Sequence, residues 1–162
     1  MSEFTQLLIV SPLGDGYNWI LRDEFRYYDS TVMGKEASPF WIAVPPRFMT
    51  DYASVPAIAR WLISKWGKHG NAAVLHDYLY WEQPITGDRK KADVIFLEAM
   101  IVMGVSIWKR TLIYQGVRWF GCFAWRGNIR KRQEGWNRVA LRWPLRATDI
   151  PADLQTPAPP EA

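Results

Sequence analysis

Along the first fifty residues, apolar and aromatic positions come in short runs set between turn formers. Phe4 to Val10, Tyr17 to Leu21, Phe25 to Tyr28 and Phe40 to Val44 read as strands. Ser11 to Gly16, Asp23-Glu24, Gly34 and Ser38-Pro39 separate them. Pro45-Pro46 ends the last run, because proline cannot donate to a β-ladder. From Ser54 the period lengthens to that of a helix. Ser54 as N-cap and Pro56 in the first turn predict a helix to about Lys65, closed by Gly67-Lys68-His69-Gly70. Asn71 is the expected cap of a second helix that ends near Gln83-Pro84. Asp88 is the expected cap of a third, from Arg89 to Met103, closed by Gly104. Ser106 begins a fourth, from Ile107 to Trp125 or beyond, and Gly127, Gly135 and Pro144 are expected to break up the basic region after it.

Strands followed by helices argue for an α+β fold rather than a parallel α/β sheet. The expectation is a small N-terminal antiparallel β-sheet (or a pair of hairpins) followed by about four α-helices, two of them an antiparallel pair. A single domain should span 1–146, β-rich over 1–50 and helical over 54–146, with a flexible proline-rich tail at 147–162. The 162 residues suffice for one core, and 49% hydrophobic residues with ten Trp exclude a disordered chain. No apolar run is long enough for a transmembrane segment. Met1-Ser2-Glu3-Phe4 lacks the pattern of a secretory signal. One cysteine, Cys122, allows no internal disulfide, suits a reducing cytoplasm, and reads as a buried inert thiol.

Charge changes the picture for the last third. Of the chain's 20 Lys and Arg, ten fall between Val105 and Arg146, against the single acid Glu134. Five tryptophans share that stretch: Trp108, Trp119, Trp125, Trp136 and Trp143. Trp108 and Trp119, on the fourth helix, are expected to pack into the core. Arg126, Arg130, Lys131 and Arg132 point to an anionic partner, either a phospholipid surface or, as a weaker reading, nucleic acid.

The candidate chemistry sits on the helix pair. Ala72 to Trp81 places His76, Asp77 and Tyr80 in an apolar run, and Lys91 to Leu97 places Asp93 in another. His76 and Tyr80 are four apart and share a face. The short connection from Trp81 to Asp88 implies an antiparallel return that brings Asp93 towards both. Buried acids and imidazoles need partners. This group is therefore either a satisfied polar network that fixes helix packing or a small active site. Asp77 points elsewhere and is free to bind a cation. Asp51 is a second candidate ligand, unless Thr50-Asp51 and Ser54 form a capping turn.

These residues carry two resemblances. Val44-Pro45-Pro46-Arg47-Phe48-Met49-Thr50-Asp51-Tyr52-Ala53-Ser54-Val55-Pro56, then Gly67-Lys68, Ala73 to Tyr80 and Arg89-Lys90-Lys91-Ala92-Asp93 resemble domain of unknown function 1353. That family is frequent in tailed phages and prophages, and the likeness implies such an origin. It also implies a place in the host bacterial cytoplasm or on the virion. His76-Asp77-Tyr78-Leu79-Tyr80 with Ala92-Asp93-Val94-Ile95-Phe96 resembles the two halves of the phospholipase A2 site, including the small phospholipase modules of parvovirus capsids. That likeness implies that His76 deprotonates the attacking water and that Asp93 and Tyr80 orient it. It further implies that Asp77 binds calcium, which polarises the ester. The chain departs from the pattern upstream, where a glycine-rich calcium loop is replaced by residues 56–60 that read as helix, and in lacking disulfides.

The expected activity is thus a metal-assisted lipid or ester hydrolase working at the membrane through a His-Asp dyad. The alternative is a non-catalytic phage accessory or virion-associated protein that binds a host or anionic partner.

Overall fold

The structure, a computed structural model, describes residues 1–14, 18–30, 40–51 and 69–140. Six strands precede three helices among them, which is the α+β order. The strands are β1 (Glu3–Phe4), β2 (Val10–Pro12), β3 (Trp19–Leu21), β4 (Phe25–Asp29), β5 (Phe40–Val44) and β6 (Met49–Thr50). They form two antiparallel three-stranded sheets, β1-β4-β5 and β2-β3-β6, rather than one. The expected run Phe4 to Val10 divides between the sheets. Phe4 lies opposite Tyr27 in the first, and Val10 lies opposite Leu21 in the second. Strand β4 alternates as a half-buried strand should, with Phe25, Tyr27 and Asp29 inward and Arg26 outward.

The sequence reading misses β6. After Pro45-Pro46, Arg47 takes a left-handed φ of 68°, and the chain doubles back along β3. Leu21 N–H then donates to Phe48 O at 2.9 Å, and Ile20 lies opposite Met49. Non-glycine residues adopt that φ rarely. Arg47 is held there by bonds on both sides: its N–H donates to Leu21 O at 2.8 Å, and its carbonyl accepts from Ala140 N–H at 3.1 Å.

The helices are α1 (Gly70–Trp81), α2 (Arg89–Val102) and α3 (Ile107–Gln133). Helix α1 starts earlier than expected. His69 occupies its N-cap without a side-chain bond, and Asn71 lies inside the helix rather than capping it. Asp88 does cap α2, accepting from Lys90 N–H at 2.9 Å. Helix α3 runs through Gly127 and stops only before Gly135, whose φ is 86°. One glycine inside a helix costs about 1 kcal/mol relative to alanine, and packing of Trp125 and Asn128 on either side of Gly127 outweighs it. The helix expected over Ser54 to Lys65 and the tail expected at 147–162 lie outside the described residues.

Helix α1 is the centre of the fold: all its residues but Asn71 and Tyr78 are buried. A helix apolar all round can only be surrounded. Phe25, Tyr27, Ile42 and Val44 from the strands, with Phe48 from the turn before β6, pack with Leu75, Leu79, Ile95, Phe96 and Met100 from α1 and α2 in one core. Beyond α3 the chain returns to the second sheet, where Met49 N–H donates to Arg138 O at 2.8 Å. No helix among the described residues is long and apolar enough to cross a membrane.

Phe48 joins the turn, the second sheet and α1. It has no solvent contact, and its ring meets Tyr78 edge-on at 5.3 Å. Phe48→Ala is expected to destabilise the fold by about 3–5 kcal/mol, the usual range for an aromatic-to-alanine cavity. Urea unfolding checks this through a lowered midpoint at an unchanged slope.

Candidate functional site

Asp93 enters the core because its neighbours on α2 (Ala92, Ile95 and Phe96) face inward. The carboxylate has 0% exposure and four donors. Tyr80 donates its hydroxyl to Oδ1 at 2.6 Å, and His76 Nε2 lies 3.1 Å from the same oxygen. Arg89 and Arg118 donate to Oδ2 at 3.1 and 2.5 Å. His76 meets Asp93 and Phe96, while Tyr80, one turn later on α1, meets Asp93 and the level of Arg89. That contact order is the antiparallel pairing expected of α1 and α2.

These contacts set the protonation states. Burial pushes the Asp93 carboxyl up, but the bonds from His76, Tyr80 and Arg118 outweigh it and hold the group below its ordinary value. Burial pushes Tyr80 well up, and donation to Asp93 adds to that, so the phenol keeps its proton. Burial also dominates at His76 and lowers it from 6.5, with Asp93 opposing in part. The imidazole is therefore neutral at neutral pH. Since an ionised Asp93 can only accept, the proton of the neutral ring resides on Nε2. Nδ1 is left as the basic atom, and no described residue donates to it. The ring itself lies between Tyr80 at 4.1 Å and Phe96 at 4.4 Å, with 4% exposure.

Helix α3 closes the site from the third side. Gly121 stands against Tyr80, where a Cβ would strike the hydroxyl and lie 3.3 Å from Arg89 Nη1. The bare backbone lets Arg89 reach across and donate to Val117 O at 3.0 Å and Arg118 O at 3.3 Å. Trp125 meets Tyr80 edge-on at 5.2 Å, and Asn128 donates to Tyr80 O at 2.9 Å. Gln83 donates to both Tyr80 O and Trp125 O.

Of the residues expected at the site, His76, Tyr80 and Asp93 come together. Asp77 faces away from them and accepts from the Thr50 hydroxyl at 2.6 Å, which ties α1 to β6 next to Asp51. No group of three or more His, Cys, Asp or Glu is placed to hold a metal among the described residues. The basic cluster is divided. Arg126 and Arg130 are exposed, whereas Arg132 turns inward, donating to Trp81 O at 2.7 Å and pairing with Glu82 at 3.4 Å. Trp108 and Trp119 are exposed rather than packed in the core.

Sequence reasoning missed Arg89, Arg118 and Gly121. Arg89 lies one helical turn before Asp93, a spacing that could have marked it. Arg118 and Gly121 carry no local mark, since α3 supplies them from far along the chain.

Residues 19–117 match the family described as Protein of unknown function (DUF1353), and the chain belongs to that family. The matched span runs from β3 to the middle of α3, so it includes His76, Tyr80, Arg89 and Asp93 but stops just before Arg118. No curated protein and no solved structure matches the chain significantly.

Two predictions test this geometry. Gly121→Ala is expected to destabilise by about 1–3 kcal/mol through overpacking against Tyr80, measurable as a lowered urea midpoint. The second concerns pH. A lowered imidazole pKa means the folded state binds fewer protons than the unfolded one. Stability is then present above the unfolded value of 6.5 and is lost as pH falls below it towards the folded value. Asp93 adds a further loss below about 3.8 as pH falls through its depressed value. Urea titrations should show the first loss in the wild type, and His76→Gln should flatten it; an unchanged slope there refutes a neutral, buried His76.

Proposed function

We propose that the protein is an ester hydrolase of phage or prophage origin, with phospholipid esters its first candidate substrates, in which His76 is the general base. One observation carries this reading: Asp93 Oδ1 takes the Nε2 side of a neutral imidazole and leaves Nδ1 as a lone-pair acceptor. Water held at Nδ1 gives up a proton as its oxygen attacks the ester carbonyl. The tetrahedral intermediate then expels the alcohol, which takes that proton back from His76, leaving acid and alcohol as products. Asp93 stabilises the imidazolium formed in between, and Tyr80 holds Asp93 in place.

A second reading has its own support. The four donors on Asp93 and the two rings around His76 would serve equally as a clamp joining three helices in a non-catalytic phage accessory or virion-associated protein.

Purified wild-type protein, with and without calcium, is assayed on phospholipid micelles and on a chromogenic ester, beside His76→Gln. The hydrolase reading expects activity that falls by about a hundredfold or more in the variant, with a far smaller change in melting temperature. Absence of hydrolysis in the wild type, together with a marked drop in melting temperature for His76→Gln, leaves only the clamp.

A further inference from the structure

Helix α3 carries large apolar side chains on the face turned away from the core. Trp108 is 59% exposed, Leu112 48%, Trp119 70% and Phe123 72%. Steps of four, seven and four residues separate them, and at about 100° per residue these fall on one narrow side of a helix. Two further steps, of three and four, bring Arg126 and Arg130 onto the same side, both exposed. The opposite side holds Ile113, Val117, Gly121, Trp125 and Asn128, which pack on the fold or touch the Asp93 network. The outward stripe is about 22 Å long from Trp108 to Phe123 at the helical rise of 1.5 Å per residue. Soluble proteins seldom leave a stripe of this kind to water without a partner.

We infer that this face of α3 seats the protein on an anionic phospholipid surface, the helix lying flat with its aromatic side chains at the headgroup level. The charge pattern selects this occupant. Among its 27 residues α3 has no acid and seven bases. Arg118 and Arg132 are engaged inward. Lys109, Arg126 and Arg130 are exposed beside or at the end of the aromatic stripe. Among the described residues Arg130 pairs with Glu134, at 3.8 Å on an open surface, a pairing that contributes little. A lipid surface offers phosphates immediately beside hydrocarbon, so guanidinium and indole groups are accommodated together. A second copy of this chain would instead set one acid-free helix against another.

This inference goes beyond the hydrolase reading and stands without it, since binding to lipid does not require His76. The test is flotation of the full-length protein with vesicles of phosphatidylcholine mixed with phosphatidylglycerol, compared with pure phosphatidylcholine. Wild type and His76→Gln are expected to float with the anionic vesicles and to be released in high salt. The double variant Trp119→Gln/Phe123→Gln should bind about tenfold more weakly or worse. Arg126→Gln/Arg130→Gln should bind about 25-fold more weakly, each charge near an anionic surface being worth about fivefold. All these side chains but His76 are exposed, so both double variants should melt with the wild type. Trp41→Gln, an exposed aromatic on β5, should bind normally. Absence of binding to anionic vesicles at low salt overturns the inference. So does binding that Trp119→Gln/Phe123→Gln leaves intact. A lipid-free dimer that the same variant converts to monomer overturns it as well, in favour of an interface between copies.

Discussion

A carboxylate with no access to water keeps its charge only where protein donors replace the lost hydration, and Asp93 is in that position. Each of its oxygens receives two donors, from α1 on one side and from α2 and α3 on the other. The helices cannot slide or rotate relative to one another without leaving a donor unmet or a guanidinium without its counter-ion. Removing one partner of such a group typically costs several kcal/mol, although an apolar replacement of the whole set can be as stable. The network therefore contributes a single arrangement of three helices more than net stability. Gly121 answers to the same constraint, because Tyr80 and Arg89 reach Asp93 only if α3 presents bare backbone there.

The part of this site carried by local spacing was legible in the sequence. His76 and Tyr80 share a face by the helical repeat, and a short connection returns Asp93 to them. The two halves of the motif are thus visible without knowledge of any contact. Arg118 is not, because it lies 25 residues from Asp93 in a region whose many bases look alike by composition. Arg132 shows the same limit: its neighbours Arg126 and Arg130 are exposed, while it reaches back to the carbonyl end of α1. The tryptophans of α3 read as core residues because both sides of that helix are apolar in places. Only the packing of Val117, Gly121 and Trp125 inward decides which side Trp119 takes. In the strands, the run Phe4 to Val10 indicates the right kind of element. It cannot show that its ends pair with different partners, which depends on the return of β6 through Arg47.

The two arginines also set the electronic character of His76. In an isolated imidazole–carboxylate pair, the full negative charge is available to the imidazolium that forms on proton uptake. Here Oδ2 is already engaged by Arg89 and Arg118, so Asp93 orients His76 strongly while raising its basicity only in part. Burial lowers the imidazole further. The result is a ring that is neutral and fixed at neutral pH, a condition that a general base and a structural clamp both require. The two roles part only at Nδ1, on the side of the ring away from Asp93, where a base needs room for water and a clamp does not.

Helix α3 places that question in a wider frame, because consecutive residues on it do opposite things. Arg118 points inward to the carboxylate, and Trp119 points outward to solvent. A surface seated on Trp119 would lie about one helix diameter, ~10 Å, from Asp93, with the body of α3 between them. The helix is thus a wall rather than a mouth. On its inner face Arg118 fastens α3 to α2, and Asn128 and Arg132 fasten it to the end of α1.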